Sequence, residues 1–304
     1  MKSVISIGMP VYNGEKHIRA AVESLLGQTY SDFDLFISDN ASTDATGDVC
    51  RELAAGDQRV RYERSETNLG LIANYNRVFQ LTLGRYFKWA SSNDICDRRM
   101  LEECMEVLEN QADVVLCYPR TKLFTDNPTS AVDYDSGFKL MEETPSERLR
   151  SLVHRLRLNN AMNGLIRRSA LERTTLLGNY LASDVNLLVE LCLLGKFCEV
   201  PQSLFYRRIH ATELTGSGRV EDLLRVYDPL SDKKISYKFW RLNLEHIRSV
   251  WRSSIPLKEK LRLYPFLCRK WYWDRGILWA ELLGHGRNNG AIAATQTGKT
   301  VNTK

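Results

Sequence analysis

What this sequence lacks narrows the field first. No stretch approaches the roughly 18 uninterrupted apolar residues of a membrane-crossing helix, which argues against an integral membrane protein. The opening MKSVISIGMPVYN carries one lysine and then reads as a strand, so no signal peptide is expected. The seven cysteines, at positions 50, 96, 104, 117, 192, 198 and 268, include no Cys-x-x-Cys pair. Scattered through apolar or helical contexts, they predict reduced, buried thiols in a cytoplasmic protein and argue against a structural zinc site. Phosphate-binding glycine signatures are missing as well. No G-x-G-x-x-G follows the first strand and no G-x-x-x-x-G-K-[ST] occurs anywhere, against a dinucleotide enzyme or a P-loop NTPase. The G-x-S-x-G elbow of an α/β-hydrolase is also absent.

The chain does have enough material for a core. Its 304 residues are 43% hydrophobic and 26% charged, which suits one large α/β domain or a domain with an appendage. The net charge of +5 hides an asymmetry. Residues 1–230 hold 27 basic and 32 acidic side chains, whereas 231–287 hold 13 basic and 5 acidic. A basic surface binding nucleic acid throughout is therefore excluded, and the positive charge belongs to the C-terminal segment.

Along the first 120 residues, short β-branched runs alternate with helical patterns. SVISIGMPVY, DLFISD, RVRYERS, RYFKWAS and DVVLCYPRTKLF read as strands. EKHIRAAVESLLGQ, DATGDVCRELAAG, LIANYNRVFQLTLG and RRMLEECMEVLENQ read as helices. Strands separated by helices of this length imply right-handed crossovers and a mainly parallel, Rossmann-like sheet flanked by helices. Ligands bind beyond the carboxyl ends of such strands, where the polar clusters PVYNGE, SDNASTD, RSETNLG and SSND fall. TDNPTSAVDYDSG predicts an exposed loop or hairpin, 145–158 a helix, and ASDVNLLVELCLLG another helix before the extended KFCEVPQSLFYRRIH. From 231 to 283 the pattern is helical, basic and aromatic with a break near Pro256, and the last 20 residues read as disordered.

Four blocks in order carry a resemblance to a known family: Val4–Asp44, NLGLIANYNRVFQLTLGRYFKWASSND, NGLIRRSAL and SDVNLLVELCLLGKFCEVPQSLFYRRIH. Over roughly residues 3–215 the chain resembles the family 2 glycosyltransferases, which adopt the GT-A fold. The resemblance implies a catalytic domain over 1–228, with a nucleotide-binding half (1–124) and an acceptor-side half (125–228). A basic, aromatic helical extension (229–284) and a disordered tail (285–304) follow.

It also implies roles. Pro10 and Tyr12 match the positions lining the base pocket, with Tyr12 stacking on the nucleobase, although a strand-end tyrosine can equally be a core aromatic. Asn13 and Glu15 belong to the same nucleotide-binding loop. Asp39 matches the carboxylate that meets the base edge, in a stretch also rich in turn and cap formers. Arg64 and Asn68 match the block that closes over the nucleotide, and TNLG is also a good turn. In SSND, Asp94 holds the metal-ligand position and Asn93 the ribose-side position. Mg²⁺ or Mn²⁺ needs only one or two carboxylates besides phosphate oxygens, and the competing reading of Asp94 is a helix cap. His210 could approach the metal or be a surface residue. Arg207 and Arg208 suit the diphosphate, and alternation along the strand lets only one point inward. Asp184 matches the catalytic base, with an N-cap as its competing role. Glu190 reads as structural.

The expected function is transfer of a sugar from a nucleotide diphosphate donor, a UDP-sugar, to a glycan or lipid-linked acceptor, with inversion and a divalent metal, in cell-surface polysaccharide synthesis. The expected location is cytoplasmic, with possible attachment at the inner membrane face. Segment 231–287 would pack on the catalytic domain, form a homodimer, or bind an anionic membrane surface. Rival readings are a sugar nucleotidyltransferase, whose glycine-rich Arg/Lys loop PVYNGEKH does not supply, and a non-catalytic nucleotide binder.

Overall fold

The computed structural model describes residues 3–134, 138–209 and 237–283. The chain opens with β1 (Ile5–Val11), α1 (Ile18–Leu26), β2 (Phe33–Asp39), α2 (Thr46–Gly56), β3 (Val60–Arg64), α3 (Leu71–Gln80) and β4 (Tyr86–Trp89). It continues with β5 (Ile95–Cys96), α4 (Met100–Asn110), β6 (Val114–Phe124), β7 (Val132–Tyr134) and α5 (Pro145–Arg155). Then come β8 (Leu165–Arg167), α6 (Arg168–Leu171), α7 (Ser183–Leu194) and β9 (Lys196–Arg208), and, as the last described elements, α8 (Lys238–Arg252) and α9 (Leu257–Leu282).

One sheet carries these strands in the order β3-β2-β1-β4-β8-β6-β9-β5, with β7 added against β6. The long ladders, β1 with β2 and β4, β2 with β3 and β6 with β9, are parallel. Among the described residues the antiparallel ladders come from the short strands β5, β7 and β8. The sheet is thus parallel in its long ladders, and TDNPTSAVDYDSG does return as a hairpin strand on β6.

Local sequence explains the packing. Helix α1 buries Ile18, Ala21, Val22 and Leu25, the i, i+3, i+4, i+7 stripe of an amphipathic helix. Helix α3 lies so close to β1 that a Cβ on Gly8 would sit 2.6 Å from a Val78 methyl. Beside it, Phe87 meets Phe79 and Trp89 edge-on, with ring centroids 5.1 and 4.8 Å apart. Truncating such a ring costs about 3–5 kcal/mol. Helix α5 starts at a capping box in which Thr144 and Glu147 satisfy each other's backbone amides.

The C-terminal helices share this core. Val250 of α8 and Leu263, Phe266 and Leu267 of α9 belong to the same buried cluster as Leu187 and Leu191 of α7. Residues 231–236 and 284–287 of the basic segment, and the tail read as disordered, lie outside the described residues.

Candidate active site

The loops after β1 and β2 are cross-braced. The Asn13 amide donates to Ser42 Oγ (2.9 Å), and Asn13 Oδ1 accepts from the Thr43 amide (2.8 Å). Glu15 Oε2 accepts from the Ala45 amide (2.8 Å). Asn13 and Glu15, expected to touch the nucleotide, therefore hold one loop to the other. Tyr12 is 48% exposed, which rules out a core aromatic and leaves a ring face open. Pro10 is buried opposite Ser38.

Asp39 ends β2 and is fully buried. Its Oδ1 accepts from the Ser42 amide and its Oδ2 from the Tyr62 hydroxyl, both at 2.8 Å, with an Arg64 nitrogen at 3.9 Å. Burial, reinforced by the bond to Asp39, pushes the Tyr62 phenol up to about 12. Asp39 anchors the loop, and a base would have to use a remaining lone pair. Arg64 donates to the Ser42 carbonyl at 2.7 Å. Asn68 Oδ1 accepts from Asn40 Nδ2 (2.8 Å) and the Gly70 amide (2.9 Å), supporting a turn whose φ of 86° at Gly70 suits glycine.

SSND leaves the end of β4 and is caught by the end of β9. The two-residue β5 pairs Ile95 with Tyr206 and Cys96 with Phe205, which brings Asp94 against Arg208. The Arg208 amide donates to Asp94 Oδ1 at 2.8 Å. Asp94 is nearly buried, and burial pushes its carboxyl up. The Arg208 amide, the Arg207 charge, a bond from Ser91 and the Lys88 charge oppose that rise. Asp94 does not cap α4. Its N-cap position is Arg99, and Asp97 Oδ1 accepts from the Arg99 amide.

Both arginines line the neighbouring cavity, and they differ in what they bond. Arg208 donates to the carbonyls of Asn93 (3.1 Å), Thr125 (2.6 Å) and Asp126 (3.1 Å), and lies over Phe124. Its guanidinium, expected at a diphosphate, holds the SSND turn. Arg207 Nη1 donates to Asn160 Oδ1 at 2.9 Å and lines the neighbouring cavity. His210 lies outside the described residues.

That cavity, about 550 Å³, is lined on one side by Asn93, Asp94 and Arg207 and on another by Asp184. Asp184 sits in the first turn of α7, where its charge favours the helix dipole. The N-cap position is Ala182 in the left-handed conformation, φ 63°, with no side-chain cap bond, so neither Ser183 nor Asp184 caps the helix. Asp184 Oδ2 instead accepts from Asn159 Nδ2 at 2.8 Å. Glu190 is turned away, bonded to the Thr175 amide (2.7 Å), Ser249 (3.0 Å) and Arg252 (3.2 Å). As expected, it is structural.

The family model for glycosyl transferase family 2 matches residues 6–174, more than half of the chain. The chain belongs to this family. It is 33% identical over 117 residues to the glycosyltransferase GlyG of Streptococcus pneumoniae, covering 38% of this chain and 39% of that one. It is 26% identical over 168 residues to the putative glycosyltransferase EpsH of Bacillus subtilis, covering 55% and 48%. The alignments therefore span less than half the length of these relatives. Among solved structures, Staphylococcus aureus TarS in complex with UDP superposes with a TM-score of 0.65 at 16% identity, over 91% of this chain and 73% of that one. The mannosyltransferase PcManGT of Pyrobaculum calidifontis, in complex with GDP-Man and Mn²⁺, gives 0.56 at 14% identity, over 97% and 78%. These likenesses show the GT-A fold.

Several residues of this family 2 site escaped the sequence reading. Asn159 and Asn160 hold Asp184 and Arg207, and the Asn163 carbonyl accepts from the ammonium of the buried Lys88 beneath. Tyr75 lines the cavity, bonds Ser91 and feels the fields of both Asp94 and Asp184. Lys88 had a signal, a lysine inside an apolar strand, which is rarely buried without a purpose. The asparagines had none, because what their turn meets is set only in three dimensions.

Proposed function

We propose that the chain transfers a sugar from a nucleotide diphosphate donor, a UDP-sugar, to a glycan or lipid-linked acceptor by a single displacement with inversion, in surface polysaccharide synthesis. One observation carries the proposal: a single cavity holds both the Asp94 and Asp184 carboxylates, with Arg207 on its wall. The solved relatives in complex with UDP, with UDP-GlcNAc, and with GDP-Man and Mn²⁺ support a donor of this class.

In this reading the base stacks on Tyr12 beside Pro10, and the ribose meets Asn93. Asp94 contributes one carboxylate to a divalent metal. Among the described residues no group of three or more His, Cys, Asp or Glu gathers to hold a metal. Mg²⁺ or Mn²⁺ held there by Asp94 would take its other ligands from donor phosphates and water. When bound, the metal neutralises charge on the leaving diphosphate. Arg207 adds a guanidinium fork on the same side. Asp184, held by Asn159, takes the proton of the acceptor hydroxyl as its oxygen bonds to the anomeric carbon. The bond from that carbon to the diphosphate oxygen breaks on the opposite face, and the nucleotide leaves with the electron pair. No described helix is long and apolar enough to cross a membrane. A cytoplasmic location, with the C-terminal helices at the inner face or in a homodimer, completes the proposal.

The test is a panel of nucleotides and nucleotide-sugars with Mn²⁺, Mg²⁺ or chelator. It is read by thermal shift and by slow release of nucleotide from the donor. Ligand at about a hundred times its Kd should stabilise the fold by roughly 3 kcal/mol. Tight binding with no donor consumption would favour a non-catalytic nucleotide binder. Failure of every nucleotide to bind would refute both readings.

A further inference from the structure

Helix α9 uses two faces. Its inner face buries Leu263, Phe266, Leu267 and Leu278 against the fold. A second apolar series, Leu257, Leu261, Tyr264, Cys268, Tyr272 and Trp279, recurs at steps of three, four or seven residues. At 3.6 residues per turn these positions share one face along the helix. Leu257, Leu261, Tyr272 and Trp279 are 60% to 68% exposed, and Trp251 at the end of α8 is 71% exposed. Beside Tyr264 a recess of about 560 Å³ opens between the two helices, lined by Ile247, Arg248, Trp251 and Arg252. Single exposed apolar residues are ordinary, but a helix-long stripe of them is not.

Charge says what covers it. Between residues 238 and 283 there are ten basic and four acidic side chains. All four acids are engaged within the fold. Glu245 and Glu259 are buried, Asp274 binds Lys270 and Asn243, and Glu281 accepts from the Phe239 and Trp240 amides. Lys258, Arg269 and Arg275 have no carboxylate partner among the described residues. Arg275 falls on the stripe, three residues after Tyr272 and four before Trp279. A second copy of this chain, packed stripe to stripe, would set these cations against their own copies with no acid between them. An anionic lipid surface offers apolar depth for the stripe and negative headgroups for its cations.

We infer that the α9 stripe, with Trp251 and the recess beside Tyr264, is an interfacial docking face for an anionic lipid bilayer. The helix lies in the plane of the headgroups, and no part of it crosses. The inference does not depend on the donor or on the transfer reaction.

The experiment uses the full chain and vesicles of phosphatidylcholine, alone or with about a third phosphatidylglycerol, read by co-sedimentation. Binding should appear with the anionic vesicles at low salt, be at least tenfold weaker with neutral ones, and fall as salt rises. Leu257→Ser/Leu261→Ser/Trp279→Ser should abolish binding, and Lys258→Gln/Arg269→Gln/Arg275→Gln should weaken it at least tenfold. Both variants should keep the parent's circular dichroism and melting temperature, because the altered side chains are exposed. No binding at low salt would overturn the inference. So would light scattering that shows a dimer which the stripe variant turns into a monomer, since the stripe would then be covered by a second copy.

Discussion

Asn159 donates its side-chain amide to Asp184 at 2.8 Å, from a turn that follows α5 to the first turn of α7. The bond fixes one carboxylate oxygen and leaves the other for an acceptor hydroxyl, the arrangement a general base needs. Because Asp184 does not cap α7, its removal should leave the helix start intact. Asp184→Asn should lower turnover at least about a hundredfold, with donor affinity and melting temperature nearly unchanged. Asn159→Leu, which frees the carboxylate to rotate, should lower kcat by less and leave donor KM alone. Normal turnover in Asp184→Asn would place the base elsewhere.

Asp94 and Asn93 are separable by metal dependence. Asp94→Ala should remove the part of UDP affinity that chelator removes from the parent, as measured by calorimetry with and without Mn²⁺. Asn93→Asp should preserve or strengthen that part, because it restores a second carboxylate beside the first. Equal affinity with metal and with chelator in both the parent and Asp94→Ala would rule out a metal role for this turn.

Adjacent arginines should fail in different ways. Both arginines line the cavity, but Arg208 is buried and donates to three backbone carbonyls, whereas Arg207 is half-buried and donates to the Asn160 side chain. Arg207→Gln should weaken donor binding and turnover with little change in melting temperature. Arg208→Gln leaves buried carbonyls without their charged donor, each bond to a charged group being worth about 1.5–3 kcal/mol. It should destabilise the whole fold, seen as a lower denaturation midpoint, before any kinetic effect is measured. Equal stability of the two variants would contradict this division.

Sequence periodicity was enough for the succession of strands and helices in the first half and for a mainly parallel sheet, because each strand and helix there carries its own apolar pattern. The same logic placed the polar loops at the strand ends. What it missed was what those loops do to each other. Asn13 and Asp39 stand at expected binding positions and also brace loops, where the buried Asp39 carboxylate finds its hydrogen-bond partners. Tyr75 lines the cavity, Asn160 bonds Arg207 and the Lys88 charge acts on Asp94, from three separate elements, a relationship that no spacing in one strand or helix encodes. The outer stripe of α9 was hidden differently. With apolar residues on two faces of one helix, the segment read only as basic and aromatic.

His246 should give the C-terminal helices a measurable acid sensitivity. It is 2% exposed, and neither ring nitrogen has a hydrogen-bond partner among the described residues. Burial, with the Lys270 charge nearby, lowers its pKa from 6.5 to about 3. The folded ring therefore stays neutral where the unfolded one gains a proton. Above pH 6.5 neither state is protonated and this group adds no pH dependence. As pH falls from 6.5 toward 3 only the unfolded state takes up the proton, so stability is lost at up to about 1.4 kcal/mol per pH unit. Below the folded pKa the loss levels off. Carboxylates elsewhere titrate in the lower part of that window, so the readout is the difference between the parent and His246→Leu, which cannot titrate. Denaturant melts at pH 7, 6, 5 and 4 should show the parent losing stability faster than the variant below pH 6.5. Parallel curves would mean that the imidazole is hydrated or paired in solution.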